Sequence, residues 1–234
     1  MKISIIIPVY NEQTNLVKRL SFLCEQANKF PLEIIIVNSP ESIDESKMIC
    51  DTYKNANYFE SVKKGRASQM NFGAEKANGD ILLFLHADVS LPNNFYNEVV
   101  NAVKKGNKAG FFAYKFDKER FLLKLNSSFT KKDGWFAGGG DQCHFFTNST
   151  FKKLGGYNNF FCIMEDFEMM DRIRNQKVPF TIIKSKAIVS ARKYDQNSWL
   201  KVNLINAYVF LKYKFGVHPK KLRKSYKNLL RESV

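Results

Sequence analysis

The sequence lacks what marks several large classes of protein. Its four cysteines, Cys24, Cys50, Cys143 and Cys162, are scattered, with no C-x-x-C pair and no histidine at ligand spacing, which speaks against a zinc site. Cys24 and Cys50 fall at apolar positions of predicted helices, as ordinary core thiols do, and reduced thiols suit the cytosol. No apolar run approaches the roughly 20 residues of a membrane-spanning helix. The first residues enter a strand pattern directly, without the charged region, apolar stretch and cleavage site of a secretory signal. The expectation is a cytoplasmic protein, soluble or held on the cytoplasmic face of a membrane. There is no internal repeat and no low-complexity linker. There is also no recognised nucleic-acid module, and the aromatic residues do not interleave with the basic ones as a stacking surface would, so no specific nucleic acid is expected. Acidic residues are scarce, 22 against 37 Lys and Arg, for a net charge of +15. From Lys201 onward nine Lys or Arg face one Glu, so more than half the excess lies in the tail. Such a surface attracts polyanions, whether phosphorylated small molecules, anionic lipid or nucleic acid.

What is present is a folded α/β chain. At 234 residues, with 44% hydrophobic and 14% aromatic content, it can bury a sizeable core. The run DILLFLHADVS from Asp80 to Ser90 organises it: Ile81 to Leu85 reads as a strand buried on both faces of a parallel sheet, and Pro92 suits the opening of a helix. Ile3 to Val9 is a first strand, with pairing expected to stop at about Pro8 near its end. Asn11 is placed to cap the helix that follows, with Leu16, Leu20 and Leu23 at helical spacing. Glu33 to Val37 and Tyr58 to Val62 read as further strands. Ser42 with Glu45 resembles a capping box for a helix to about Asn55, and Asn78-Gly79 a stop for the helix after Gly65. This alternation is that of a doubly wound sheet. Beyond it come a helix to about Lys105, a strand from Ala109 to Phe116 and a helix near 119–129. Then follow a glycine-rich loop, a helix from Met164 to Gln176, short strands at 180–183 and 187–190, an aromatic helix from Trp199 to Phe215, and a last basic helix.

Ligands on open α/β sheets gather beyond the carboxyl ends of the strands, and five clusters fall there. Tyr10, Asn11 and Glu12, after Pro8, offer a ring to stack on a base and groups to bond it, or simply a helix start. Asn38 ends the second strand. Gly65, Arg66, Gln69 and Asn71 share a helix N-terminus, which favours phosphate. His86, Ala87 and Asp88 end the organising strand; Asp88 can face a divalent cation, or only begin a turn. Glu165 and Asp166 are adjacent carboxylates at a helix start, where they also complement the helix dipole.

Taken in order, ISIIIPVYNE, LLFLHADV, GGGDQ and MEDFEM resemble a family 2 glycosyltransferase with the GT-A fold, over nearly the whole chain. GRASQMNFGA, FLHAD, GDQ and MED resemble more narrowly a small bacterial subgroup associated with arsenosugar biosynthesis. The resemblance implies a Rossmann-like, mostly parallel central sheet flanked by helices in residues 1–197, with a C-terminal helical extension in 198–234. It implies a nucleotide-diphosphate-sugar donor, an acceptor hydroxyl not identified by the sequence, and a divalent cation, Mg²⁺ or Mn²⁺. Pro8, Tyr10 and Glu12 would then line the nucleoside pocket, with Arg66 and Asn71 near base and ribose. Asp88 would reach the metal as the last carboxylate of a D-x-D motif, Asp166 would be the base, and Glu165 would support the acceptor pocket. Trp135, Gly140, Asp141 and Gln142 would border the sugar and acceptor. Attack from the face opposite the leaving group implies inversion.

Two departures stand out. Asn38 replaces an Asp that reads uracil, which leaves the base open, and His86 replaces the first Asp of D-x-D, which implies weak or substrate-dependent metal binding. These same departures favour the alternative of a catalytically silent nucleotide-sugar binder or membrane-surface scaffold. Residues 199–234 allow two placements, packed over the sheet or lying on an anionic membrane.

Overall fold

The computed structural model describes residues 1–134 and 136–230. The first half alternates as its apolar runs dictate: β1 (Ile3–Val9), α1 (Gln13–Ala27), β2 (Leu32–Asn38), α2 (Ser46–Asp51), β3 (Ala56–Glu60), α3 (Arg66–Lys76) and β4 (Ile81–Phe84). The short β5 (Val89–Ser90), α4 (Phe95–Lys104), β6 (Ala109–Phe116) and α5 (Phe121–Phe129) follow. A 3-10 turn at Gly140–Gln142 leads to β7 (Phe145–Thr147), α6 (Asn148–Lys153), α7 (Glu165–Asn175) and β8 (Phe180–Val189). The chain continues through α8 (Lys193–Gln196), α9 (Trp199–Lys214) and α10 (Pro219–Leu229).

Among the described residues one eight-stranded sheet runs in the order β3-β2-β1-β4-β7-β6-β8-β5. The pairs β3/β2, β2/β1, β1/β4 and β6/β8 are parallel, while β7 runs antiparallel to both neighbours and β5 antiparallel to β8. The sheet is therefore mixed, with parallel pairs in the majority. Side chains alternate across it: Ile5, Ile7 and Ile34 enter one core layer, Ile6, Ile35 and Phe84 the other. Both faces are covered, which is why β1 and β4 read as unbroken apolar runs.

Several local expectations are corrected. Not all need correcting: β1 spans Ile3–Val9 as expected, and its pairing with β2 stops at Val9, one residue past Pro8. Ile6 still receives Leu85 through its carbonyl, and Pro8, two residues on, faces the same way past the end of β4, where no ladder hydrogen is needed. Asn11 does not cap α1: it has φ +51°, and its side-chain oxygen accepts from the Ile43 amide instead. That contact holds 42–45 as a loop, so α2 starts at Ser46 and stops at Asp51. The Asp44 carboxylate, not Ser42, accepts from the Ser46 amide. Pro92 stands in the turn before Asn94, the residue that precedes α4. Gly79 is not a helix cap, since α3 ends at Lys76; a Cβ there would lie 2.5 Å from Ser4 Oγ, so it lets the chain cross tightly under β1. The two short strands expected at 180–190 are one strand with an irregularity opposite Phe112 and Ala113.

The C-terminal helices pack on the rest. Val202, Ile205, Val209 and Phe210 of α9 are buried, the Phe210 ring meets Phe167 of α7, and Tyr213 donates to Asp171 at 2.7 Å.

Candidate active site

The carboxyl ends of β1, β2 and β4 open on one side of the sheet, and α7 is brought to the same place. Met164 makes the turn with φ +68°, a left-handed backbone that a side chain rarely takes. The turn delivers Glu165 and Asp166 almost fully buried at the head of α7. Arg66, the first residue of α3, bridges them: its Nε donates to Glu165 Oε1 and its Nη2 to Asp166 Oδ2 at 3.2 Å.

Burial works against the Arg66 charge, but Glu165 and then Asp166 outweigh it and hold the guanidinium protonated. Asp166 shows the opposite balance. Burial pushes its carboxyl up, Arg66 pulls it back, and Glu165 and Asp141 push it further, to about 7. The second oxygen of Glu165, Oε2, is buried without a hydrogen-bond partner.

His86 lies beside this group. Burial and then the Arg66 charge lower its pKa to about 3, so the imidazole is neutral at physiological pH. Gly140 is wedged between: a Cβ there would collide with Asp166 Oδ2 and His86 Cε1. Asp141 is more open and stands 3.9 Å from His86 Nδ1.

The opposite rim carries Asp88 and Glu12, and a residue that the sequence did not single out joins them. Arg192 Nη2 lies 2.9 Å from Glu12 Oε1 and 3.5 Å from Asp88 Oδ2. Its neighbour Lys193 has Nζ 4.0 Å from Asp141 Oδ2. Burial and then Asp141 raise the Asp88 pKa, while Arg192 opposes them. No local signal marks Arg192 or Lys193, because they reach the rim from beyond β8, some 180 residues from Glu12.

Other expected residues have different work. Gln69 is buried and its amide donates to the Val9 and Val37 carbonyls, both at 2.8 Å, tying the tips of β1 and β2; it has no free donor for phosphate. Asn71 is turned to the 157–159 loop, donating to Tyr157 O at 2.7 Å and Asn159 Oδ1 at 3.0 Å. Arg66 faces the carboxylates rather than a base. Gln142 is buried, accepts from the Gly138 amide at 2.7 Å and donates to Phe112 O at 3.1 Å, so it braces the glycine loop without facing a ligand. Pro8 and Ala87 are buried in the core, behind the rim. Gly65 precedes α3 in a left-handed backbone, φ +111°. Tyr10 is 54% exposed at the mouth. Asn38 is buried; its amide donates to Tyr58 Oη at 2.9 Å, and its Oδ1 has no partner. Trp135 lies outside the described residues.

A seat for a divalent cation is not built here. Among the described residues no three His, Cys, Asp or Glu side chains converge closely enough to hold a metal ion. Asp88 stands at its strand end with a guanidinium already offsetting its charge. The residues present do not fit a preformed metal site.

Comparison with known proteins adds the family context. The model of the family "Glycosyl transferase family 2" matches residues 4–174. The dolichol-phosphate mannosyltransferase of Pyrococcus furiosus is 28% identical over 110 residues, covering 46% of this chain and 31% of that protein. A glycosyltransferase of Rickettsia bellii is 34% identical over 89 residues, 37% of this chain and 13% of its own. The matched part is thus less than a third of either relative. Among solved structures, S. aureus TarS 1-349 in complex with UDP-GlcNAc superposes with TM-score 0.69 at 14% identity, over 98% of this chain and 71% of that one. The mannosyltransferase PcManGT of Pyrobaculum calidifontis, in complex with GDP-Man and Mn²⁺, gives 0.65 at 17% identity, over 89% and 61%. These likenesses establish a GT-A-like fold, with its mixed sheet between helical layers.

Proposed function

The chain belongs to glycosyl transferase family 2, and from that premise we propose that it moves a sugar from a nucleotide-diphosphate-sugar donor to an acceptor hydroxyl, with inversion at the anomeric carbon. The observation that carries this reading is Asp166, a buried carboxyl with its pKa near neutrality, held by Arg66 at the carboxyl end of the sheet. A base poised near the working pH combines a useful ionised fraction with a useful appetite for the proton.

In this reading the donor base lies at the tips of β1 and β2. The Tyr10 ring stacks on it, and the unpartnered Asn38 Oδ1 accepts a ring N–H. The diphosphate lies along the Asp88 rim, where Arg192 and Lys193 meet the charge that grows as it leaves. The acceptor enters on the α7 side. Asp166 takes the hydroxyl proton as the oxygen attacks the anomeric carbon, and the bond to the diphosphate breaks on the opposite face. Glu165 Oε2 is an acceptor for a second donor group on the incoming molecule. Mg²⁺ or Mn²⁺ would come in with the diphosphate, Asp88 would be the protein carboxylate toward it, and the ion would supply positive charge to the leaving group. Residues 1–197 carry the chemistry, on the cytoplasmic side, and 198–234 back it. The narrower likeness to the arsenosugar-associated subgroup rests on GRASQMNFGA, FLHAD, GDQ and MED, and stays part of this proposal.

The test is a panel of nucleotide sugars with candidate hydroxyl acceptors, read by released nucleoside diphosphate, with and without EDTA. Turnover of one donor with an inverted product is expected. Donor binding without turnover in the presence of every acceptor would favour the silent binder.

A further inference from the structure

A second surface lies outside the site. α9 is apolar almost all round, and packing uses only part of it. Opposite its buried residues, Leu200, Leu204, Tyr208, Leu211 and Phe215 remain 42–84% exposed. Their spacing of three and four places them on one stripe. α5 does the same: Leu123 and Ser127 are buried, while Phe121, Leu122, Leu125 and Phe129 are 41–79% exposed.

The two stripes adjoin. Asn126 donates to Asn203 Oδ1 at 3.0 Å, joining α5 to α9. At about 100° per residue, each asparagine sits on the border between the buried and exposed sides of its own helix. The hydrogen bond therefore joins the stripes edge to edge. Contiguous exposed apolar side chains of this kind, bordered by polar residues, mark interaction surfaces.

The charges on the helices themselves have one sign. α5, α9 and α10 contain no Asp or Glu, and carry Lys124, Lys201, Lys212, Lys214, Lys220, Lys221, Arg223, Lys224 and Lys227. Acids of neighbouring segments are already paired: Glu119 with Lys124, Asp195 with Lys118 and Arg120, and Asp171 with Lys214. Lys212 lies over the Tyr208 ring at 4.7 Å, its stem along apolar surface. A second copy of the chain would bring lysine against lysine across a twofold contact. An anionic bilayer meets both features, taking the Leu and Phe side chains below its headgroups and the lysines at them.

We propose that α5 and α9 together form a docking face for an anionic membrane surface, with α10 adding charge at its edge. This stands apart from the transfer reaction and does not rest on it. The experiment is co-sedimentation of the full chain with vesicles of equal parts phosphatidylglycerol and phosphatidylcholine, and with phosphatidylcholine alone. The variants are Leu125→Glu and Leu204→Glu, one on each helix and both at exposed positions. Wild type should pellet with the anionic vesicles and be released by salt. Each variant should bind about tenfold more weakly or worse, the effect of losing one buried leucine, with unchanged thermal unfolding. Binding untouched by both variants, or no binding at all, would overturn the proposal. So would a wild-type dimer in sedimentation velocity that either variant splits, which would make the occupant a second copy.

Discussion

At the scale of single residues, the site turns on how a buried acid and a buried base are balanced. Because the Asp166 pKa is raised to about 7, the folded state holds that proton more tightly than the unfolded chain does. Its stabilising contribution is complete below the ordinary carboxylate range, near 4, and is lost as the pH rises through about 7. Asp166→Asn cannot ionise, so at alkaline pH it should melt no lower than wild type in a thermal scan. A clear drop would mean that the Arg66 ion pair outweighs burial. Gly140 gives a second test. A methyl group there would be forced into Asp166 and His86, so Gly140→Ala should lower stability by roughly 1–3 kcal/mol, as overpacking does, and turnover with it. At the other rim, Arg192→Ala should raise the KM for the donor more than tenfold, a loss of about 1.4 kcal/mol or more, while leaving acceptor KM nearly unchanged. Equal effects on both substrates would remove Arg192 from the diphosphate.

At the scale of elements, the tips of β1 and β2 are held by one side chain that looked like a ligand. Gln69→Leu would strip the Val9 and Val37 carbonyls of their side-chain donor; Val9 keeps the Ser39 amide, so the cost is that of lost hydrogen bonds, about 0.5–1.5 kcal/mol each. Urea unfolding should show it as a lower midpoint with an unchanged slope. What the sequence disclosed follows the same divide. β1, β2 and β4 were legible because burial on both faces leaves long apolar stretches, and β6 because its buried first half, Ala109 to Ala113, is such a stretch. β5 and β7, two and three residues long, carry no such run and exist only through their antiparallel neighbours. α2 was overextended because the loop before it is fixed by Asn11 and Gln13, some thirty residues away. Asp88, Glu165 and Asp166, which the fold brings to the strand ends, stood out in their motifs, and their roles belong to the proposal. Arg192 and Lys193 were not, since only the path of β8 and the start of α8 carries them to Asp88 and Asp141. Gln69, Asn71 and Gln142 were misread for a related reason: an amide at a strand end satisfies backbone as readily as it meets a substrate.

At the scale of the molecule, two buried histidines set the acid limit. His86 and His144 have pKa values lowered to about 3 and about 4, both mainly by burial. The unfolded chain takes up those protons near 6.5, so folded stability falls as pH drops below that value, up to about 1.4 kcal/mol per pH unit for each group. Asp166 offsets about one proton over much of that window, which leaves a net loss. Chemical denaturation should therefore find the chain weaker at about pH 5 than at about pH 7. Stability that is flat or rising on acidification would contradict that burial of the two rings. The wider architecture also separates its tasks, with the carboxylates and cationic rim on the strand ends and the apolar lysine-bordered face on α5 and α9.

The central claim is that Asp166 removes the acceptor proton. The most direct measurement is the pH dependence of turnover, read by released nucleoside diphosphate, for wild type and Asp166→Asn with the donor and acceptor that the panel identifies. Wild-type turnover should climb with pH and level off above about 7, as expected for a base of that pKa. The variant should bind donor normally, lose about a hundredfold or more in kcat, and lose the climb. A variant that keeps wild-type turnover and the same pH profile would contradict the account, and would place the base on another side chain.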